Sequence, residues 1–118
     1  MSKKVIKLAV AILSIILHSC ASDTVEDYYD TVDCATANVS FSETIQPIIN
    51  ANCAVSGCHV TGTGLPSWES YDNISNNAVN IARRTALGEM PPVGSGKSLT
   101  SEEVELIQCW VNSGAENN

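Results

Sequence analysis

The sequence predicts an all-α domain with long loops, on three observations. Apolar residues recur at helical spacing near both ends of the folded part, as Phe41, Ile45, Ile48 and Ile49, and again as Val104, Ile107 and Val111. Helix-capping signals precede both stretches: Ser40-Phe41-Ser42-Glu43 before the first, and Thr100 with Glu103 before the second. No run alternates apolar and polar residues as a half-buried strand would, and Gly/Pro clusters separate the periodic stretches.

Taken in chain order, Met1 to Leu17 starts with Lys3, Lys4 and Lys7 and continues as an apolar run from Leu8 to Leu17. A basic start and so short an apolar run predict a secretory signal over residues 1–19, because a membrane span needs roughly 20 apolar residues. The run ends in Leu17-His18-Ser19-Cys20, which resembles a lipobox, so Cys20 is the expected lipidation site. Ordinary cleavage, with Cys20 a spare thiol, is the alternative. Residues 20–33 carry acids without helical or strand period and are expected to form an acidic tether. Neither Ala21 nor Ser22 is an aspartate-type retention signal, which favours the outer membrane for an exported, lipid-anchored chain.

The folded domain is expected over 34–118. Ser40 as cap would place Pro47 inside the first helix, so a start near Thr44, with Pro47 in the first turn, is the better expectation. Thr61 to Pro66 is loop. Short helices are expected over Ser67–Asn73 and Asn77–Leu87, the second stopped by Gly88. Pro91-Pro92 and Gly94-Ser95-Gly96 mark another loop. The last helix is capped by Thr100 and Glu103, carries Trp110 beside its apolar face, and is stopped by Gly114.

Without residues 1–19, three cations (Arg83, Arg84, Lys97) face 13 acids, a formal charge of −10. Nucleic-acid binding needs basic patches and is excluded on that ground. The charge fits either a merely soluble surface or steering toward a basic-surfaced partner. With one Phe, two Trp and three Tyr in the chain, the core is thin for a domain of this size. Such domains usually need a disulfide, a metal or a cofactor as a staple.

Cys53-Ala54-Val55-Ser56-Gly57-Cys58-His59 supplies the chemistry. In c-type haem attachment two thiols add to the haem vinyl groups, and a histidine directly after the second cysteine meets the iron. The usual form is C-x-x-C-H; here four residues separate the thiols, and Ser56-Gly57 let the loop bulge. Attachment at Cys58 alone would still leave His59 placed.

From about Cys34 to Asn118 the chain resembles small c-type cytochromes of Bacteroidetes-like lipoproteins and appended haem domains. The resemblance rests on Ile45-Gln46-Pro47-Ile48-Ile49, Asn52-Cys53, Ser56-Gly57-Cys58-His59, Gly88-Glu89-Met90-Pro91-Pro92, Leu99 to Glu103, and Ile107-Gln108-Cys109-Trp110 through Gly114-Ala115. It implies a small cytochrome c-like fold, with N- and C-terminal helices around one covalent haem c, and single-electron transfer rather than enzymatic turnover. It also implies thioethers at Cys53 and Cys58, His59 as proximal ligand and Met90 as distal ligand.

Independently of the family, His59 and Met90 are the only histidine and methionine after signal removal, the ligand pair of an electron-transfer haem. Pro91-Pro92 stiffens the loop behind Met90; core filling would be the reading of that side chain taken alone, and beside Cys58-His59 it gives way to ligation. Cys34 and Cys109 are expected to pair in an exported protein, adding roughly 4 kcal/mol; free thiols are the alternative.

Arg83 and Arg84 are candidate haem-propionate contacts, against a solvated helix face. Trp68 and Tyr71 are candidates to pack on the porphyrin or donate to a propionate. Three rival readings stand beside the electron carrier. One is a haem-free binding lipoprotein with Cys53–Cys58 and Cys34–Cys109 bridges; another is a zinc site of cysteines and His59. The third is a catalytic haem with a labile Met90.

Overall fold

The computed structural model describes residues 32–118, and in them the chain is helical, with no strand among the described residues. The signal segment, Cys20 and nearly all of the acidic tether lie outside the described residues. Asp33 anchors the first described turn. Its carboxylate accepts the Ala35 N–H at 2.9 Å, and its carbonyl accepts the Ala37 N–H at 2.8 Å.

The first helical stretch reconciles the two signals that conflicted in the sequence. It starts at Ser40, whose hydroxyl accepts the Glu43 N–H at 3.0 Å. Phe41–Ile45 forms a π-helical turn in which the Gln46 N–H reaches back to the Phe41 carbonyl. Helix α1 then runs over Gln46–Asn52. The wider turn shifts the register, so Pro47 falls in the first turn of the α-helical part, where its missing N–H costs little. A start near Thr44 is therefore corrected to Phe41.

Helix α2 covers Tyr71–Asn76 and α3 covers Ala78–Ala86. The expected helix over Ser67–Asn73 is displaced toward the C-terminus. Ser70 rather than an earlier residue caps it, while the Ser67 hydroxyl donates to Glu69. α4 spans Ser101–Asn112, with the full capping box between Thr100 and Glu103. It ends before Gly114, whose φ of 105° is a conformation that favours glycine.

α3 packs on α4, and α4 on the π-helical turn. The core lies between them: Phe41, Ile45, Ile49, Ile74, Ile81, Ile107 and Trp110 are almost wholly buried. Tyr71 meets the Phe41 ring edge-on at 4.9 Å. Asn118 closes this end of the molecule, its side-chain and main-chain oxygens accepting the Phe41 and Ser42 N–H groups at 2.7 and 2.9 Å. Cys34 and Cys109 stand at disulfide distance, their Cα atoms 5.2 Å apart.

Candidate functional site

Two loops after α1 carry the site. The helix frays at Cys53, and both Cys53 and Ala54 donate their N–H to the Ile49 carbonyl at 2.8 Å. Val55 to Cys58 then makes a tight turn closed by Cys58 N–H on the Val55 carbonyl at 2.9 Å. Gly57, the third residue of that turn, has φ of 80°, as a type II turn requires. The His59 N–H returns to the Cys53 carbonyl at 3.0 Å. The two additional residues of the motif are thus absorbed in a turn, and the loop neck stays closed between the first cysteine and the histidine.

Residues 60–67 form the second loop, closed where the Trp68 N–H donates to the His59 carbonyl at 2.9 Å. Thr63 pins it from inside, its hydroxyl shared between the Cys58 and Val60 carbonyls at 2.7 and 2.9 Å. Glu69 pins it from outside, accepting from the Thr61 N–H and hydroxyl, both at 2.7 Å, and from the Ser67 hydroxyl at 2.9 Å. Hydrogen bonds from Thr61, then Ser67, hold the Glu69 carboxyl below its usual value.

These loops fix the His59 ring from several directions. Nδ1 lies 2.9 Å from the Pro66 carbonyl oxygen. A carbonyl can only accept, so Nδ1 carries the hydrogen, and the tautomer that this contact selects is the one with its lone pair on Nε2. The indole of Trp68 lies flat on the imidazole, with centroids 3.5 Å apart and planes within 4°. Trp68 is 5% exposed, and its Nε1 is buried without a hydrogen-bond partner in the protein.

Two clefts flank this arrangement and share His59, Leu65, Trp68 and Met90 in their walls. One, of about 150 Å³, also gathers Cys53, Cys58, Pro91, Pro92 and Lys97. The other, of about 210 Å³, adds Pro66, Asn77, Asn80 and Arg84. Small-molecule sites begin at roughly 300 Å³, so only as a pair do the clefts offer room of that order. Met90 reaches this wall from the loop after α3, where both its N–H and that of Glu89 donate to the Arg84 carbonyl at 3.2 and 2.9 Å. On the far rim the Lys97 ammonium donates to the Ala51 carbonyl at 2.8 Å, near the C-terminal end of α1.

Cys53 and Cys58 are both free thiols, the first buried and the second half-buried. Burial, then the neighbouring Cys58 and Glu103, pushes the Cys53 thiol up to about 11. Among the described residues no group of three or more His, Cys, Asp or Glu side chains is arranged to hold a metal ion. Nor is any helix among them long and apolar enough to cross a membrane.

The structure thus brings Cys53, Cys58, His59, Trp68 and Met90, all singled out in the sequence, to the walls of one cleft, and Arg84 to the cleft beside it. Arg84 pairs with Glu89 at 3.5 Å. Two other candidates stand elsewhere. Arg83 is exposed and turns to the Asn80 side chain at 3.3 Å. The Tyr71 hydroxyl donates to the Ala115 carbonyl at 2.9 Å, and its side chain lines neither cleft. Pro66 was missed: the sequence marks it only as loop, and nothing in its spacing says that its carbonyl would meet a ring seven residues earlier.

No family model, curated protein or solved structure matches the chain.

Proposed function

We propose that the chain is a single-electron carrier holding one covalent haem c, not an enzyme. One observation carries this reading: a single cleft wall unites the two free thiols, an imidazole with its Nδ1–H engaged, and the sole methionine of the described residues. Cys53 and Cys58 would hold the group by thioethers, and His59 Nε2 and the Met90 sulfur would be its protein ligands to iron. When bound, haem c supplies reversible one-electron iron chemistry, and the His/Met pair raises its potential relative to harder ligands.

The protein's own residues do the rest. Pro66 fixes the tautomer and the orientation of the ring, as second partners of metal-bound histidines do. The Trp68 indole N–H, buried without an acceptor in the protein, fits a carboxylate-bearing ligand, and Arg84 on the same wall offers a guanidinium to it. Half-buried Cys58 and half-exposed Leu65 mark the solvent side of the cleft, where a partner would approach. The haem-free reading needs Cys53 bridged to Cys58, which are separate thiols here, while the Cys34–Cys109 pair serves either reading.

The wider setting belongs to the same proposal. The chain is exported, anchored through Cys20 to a membrane, the outer one favoured, and exchanges electrons with basic-surfaced protein partners rather than nucleic acid. The test is an absorption spectrum after expression with cytochrome c maturation factors. A red protein whose haem resists acid-acetone extraction is expected. A colourless protein, or haem that extracts freely, overturns the proposal.

A further inference from the structure

An imidazole held to a metal through Nε2 keeps one freedom, rotation about that bond. The setting of this rotation decides which iron d orbital meets the ring π system, and so the magnetic anisotropy of the centre. In this chain two contacts oppose the rotation. The Nδ1–H, which lies off the rotation axis, is tied to Pro66 at 2.9 Å. One ring face rests on the Trp68 indole at 3.5 Å and within 4° of parallel, van der Waals contact across the whole ring. The wall is also bonded to what it supports, because the Trp68 N–H donates to the His59 carbonyl at 2.9 Å. With Trp68 5% exposed, neither ring can swing without disturbing the core.

Resting on the haem reading above, we infer that Trp68 is a positioning residue for the axial ligand, its indole face and the Pro66 carbonyl together setting the plane in which His59 meets the iron. A core-filling tryptophan would stabilise the fold without regard to ring orientation. A positioning one must present a flat face, so an aromatic replacement serves and an aliphatic one of similar apolar character does not.

The experiment compares frozen-solution electron paramagnetic resonance of the ferric wild type, Trp68→Phe and Trp68→Leu, with thermal melting alongside. The wild type is expected to give one sharp low-spin set of g values, with Trp68→Phe matching it within the line width. Trp68→Leu is expected to give shifted or broadened values, because the ring plane is released. Both variants melt lower; a merely structural role would move the melting temperature and leave the g values alone.

Unchanged g values in a folded, red Trp68→Leu protein overturn the inference and leave the haem reading standing, whereas a colourless wild type overturns both. Should Trp68→Leu not fold, nuclear Overhauser contacts decide the matter in the wild type. Indole protons must then contact the hyperfine-shifted ring protons of His59, and their absence overturns the inference.

Discussion

Trp110 and Trp68 are buried almost equally, 1% and 5% exposed, in regions built differently. The Trp110 Nε1 donates to the Glu116 carbonyl at 2.9 Å, and its ring lies 5.7 Å from Phe41 in a core shared by α4 and the π-helical turn. Around it, Asn118, Tyr71 and the Cys34–Cys109 pair join distant parts of the chain. Trp68 has no partner for its Nε1, and around it are two free thiols, two clefts and loops pinned mainly by local hydrogen bonds. A buried donor without an acceptor costs about 1–3 kcal/mol. The helical half satisfies its buried indole from its own residues, whereas the loop half leaves a buried indole N–H without an acceptor in the protein and two thiols unbridged. The scaffold should therefore hold its fold independently of what the site binds.

The strongest way to break that comparison is to open the scaffold. Cys34 and Cys109 are 75 residues apart, and closing so long a loop stabilises by roughly 4 kcal/mol on a chain-entropy estimate. The Cys34→Ser, Cys109→Ala double variant should lose about that much in urea unfolding. Below its transition it should keep the wild-type haem spectrum, since neither residue borders the clefts. A loss under about 1 kcal/mol would show that the pair does not carry the scaffold.

The converse change is made in the site. Met90 is half-buried and outside the core cluster, so Met90→Ala should cost less than the roughly 2–5 kcal/mol of a buried methionine. If the proposed haem is held by Met90, the effect falls on the ligand set: a lower reduction potential and new binding of carbon monoxide to the reduced protein. An unchanged potential would remove Met90 as ligand, leaving it a wall residue.

Cys53 lies where the halves meet, since it is buried in the core and shifted partly by Glu103 of the α4 cap. Its thiol is raised from 9.0 to about 11, so the fold favours the neutral form. The resulting stability is fully present below 9.0 and is lost as pH rises through about 11. Haem-free protein should therefore unfold more easily across that window, and Cys53→Ala should remove this part of the pH dependence. Once the sulfur is a thioether it no longer titrates, so the haem-bound form should lack the same component. Identical alkaline profiles for the two forms would contradict this.

The same division governs what could be read from the sequence. The scaffold was legible because its signals are local: a cap and its glutamate three residues apart, an apolar stripe, a glycine stop. Where two local signals collided, at Ser40 and Pro47, the solution was a π-helical turn, which no periodicity announces. The site was legible only in its chemistry. Cys58-His59 and Met90 stand out as residue types, but their meeting depends on the path of two loops. Pro66 behind the imidazole, Trp68 against its face and Tyr71 turned away to Ala115 are tertiary facts, and sequence spacing could not separate Tyr71 from Trp68 as candidates. The burial of Glu105 on α4 was likewise unforeseen: its place in the helical pattern does not announce it.

The smallest effect should come from Glu69, and it tests how local the loop half is. The three hydrogen bonds its carboxylate accepts join Thr61 and Ser67 across the loop that carries Pro66. The folded carboxyl titrates below its usual 4.5, so the loop's stabilisation is present above that value and is lost as pH falls through the folded one. Glu69→Gln retains one acceptor oxygen and removes the charge. Because Glu69 is exposed, the global melting temperature should move by no more than about 2–4 °C, the range of most surface changes in a domain of this size. Hydrogen exchange at the Thr61 amide should instead quicken severalfold, while the amides of α4 stay as protected as before. If the α4 amides quicken with it, the two halves open together, and the independence inferred from the two tryptophans is wrong.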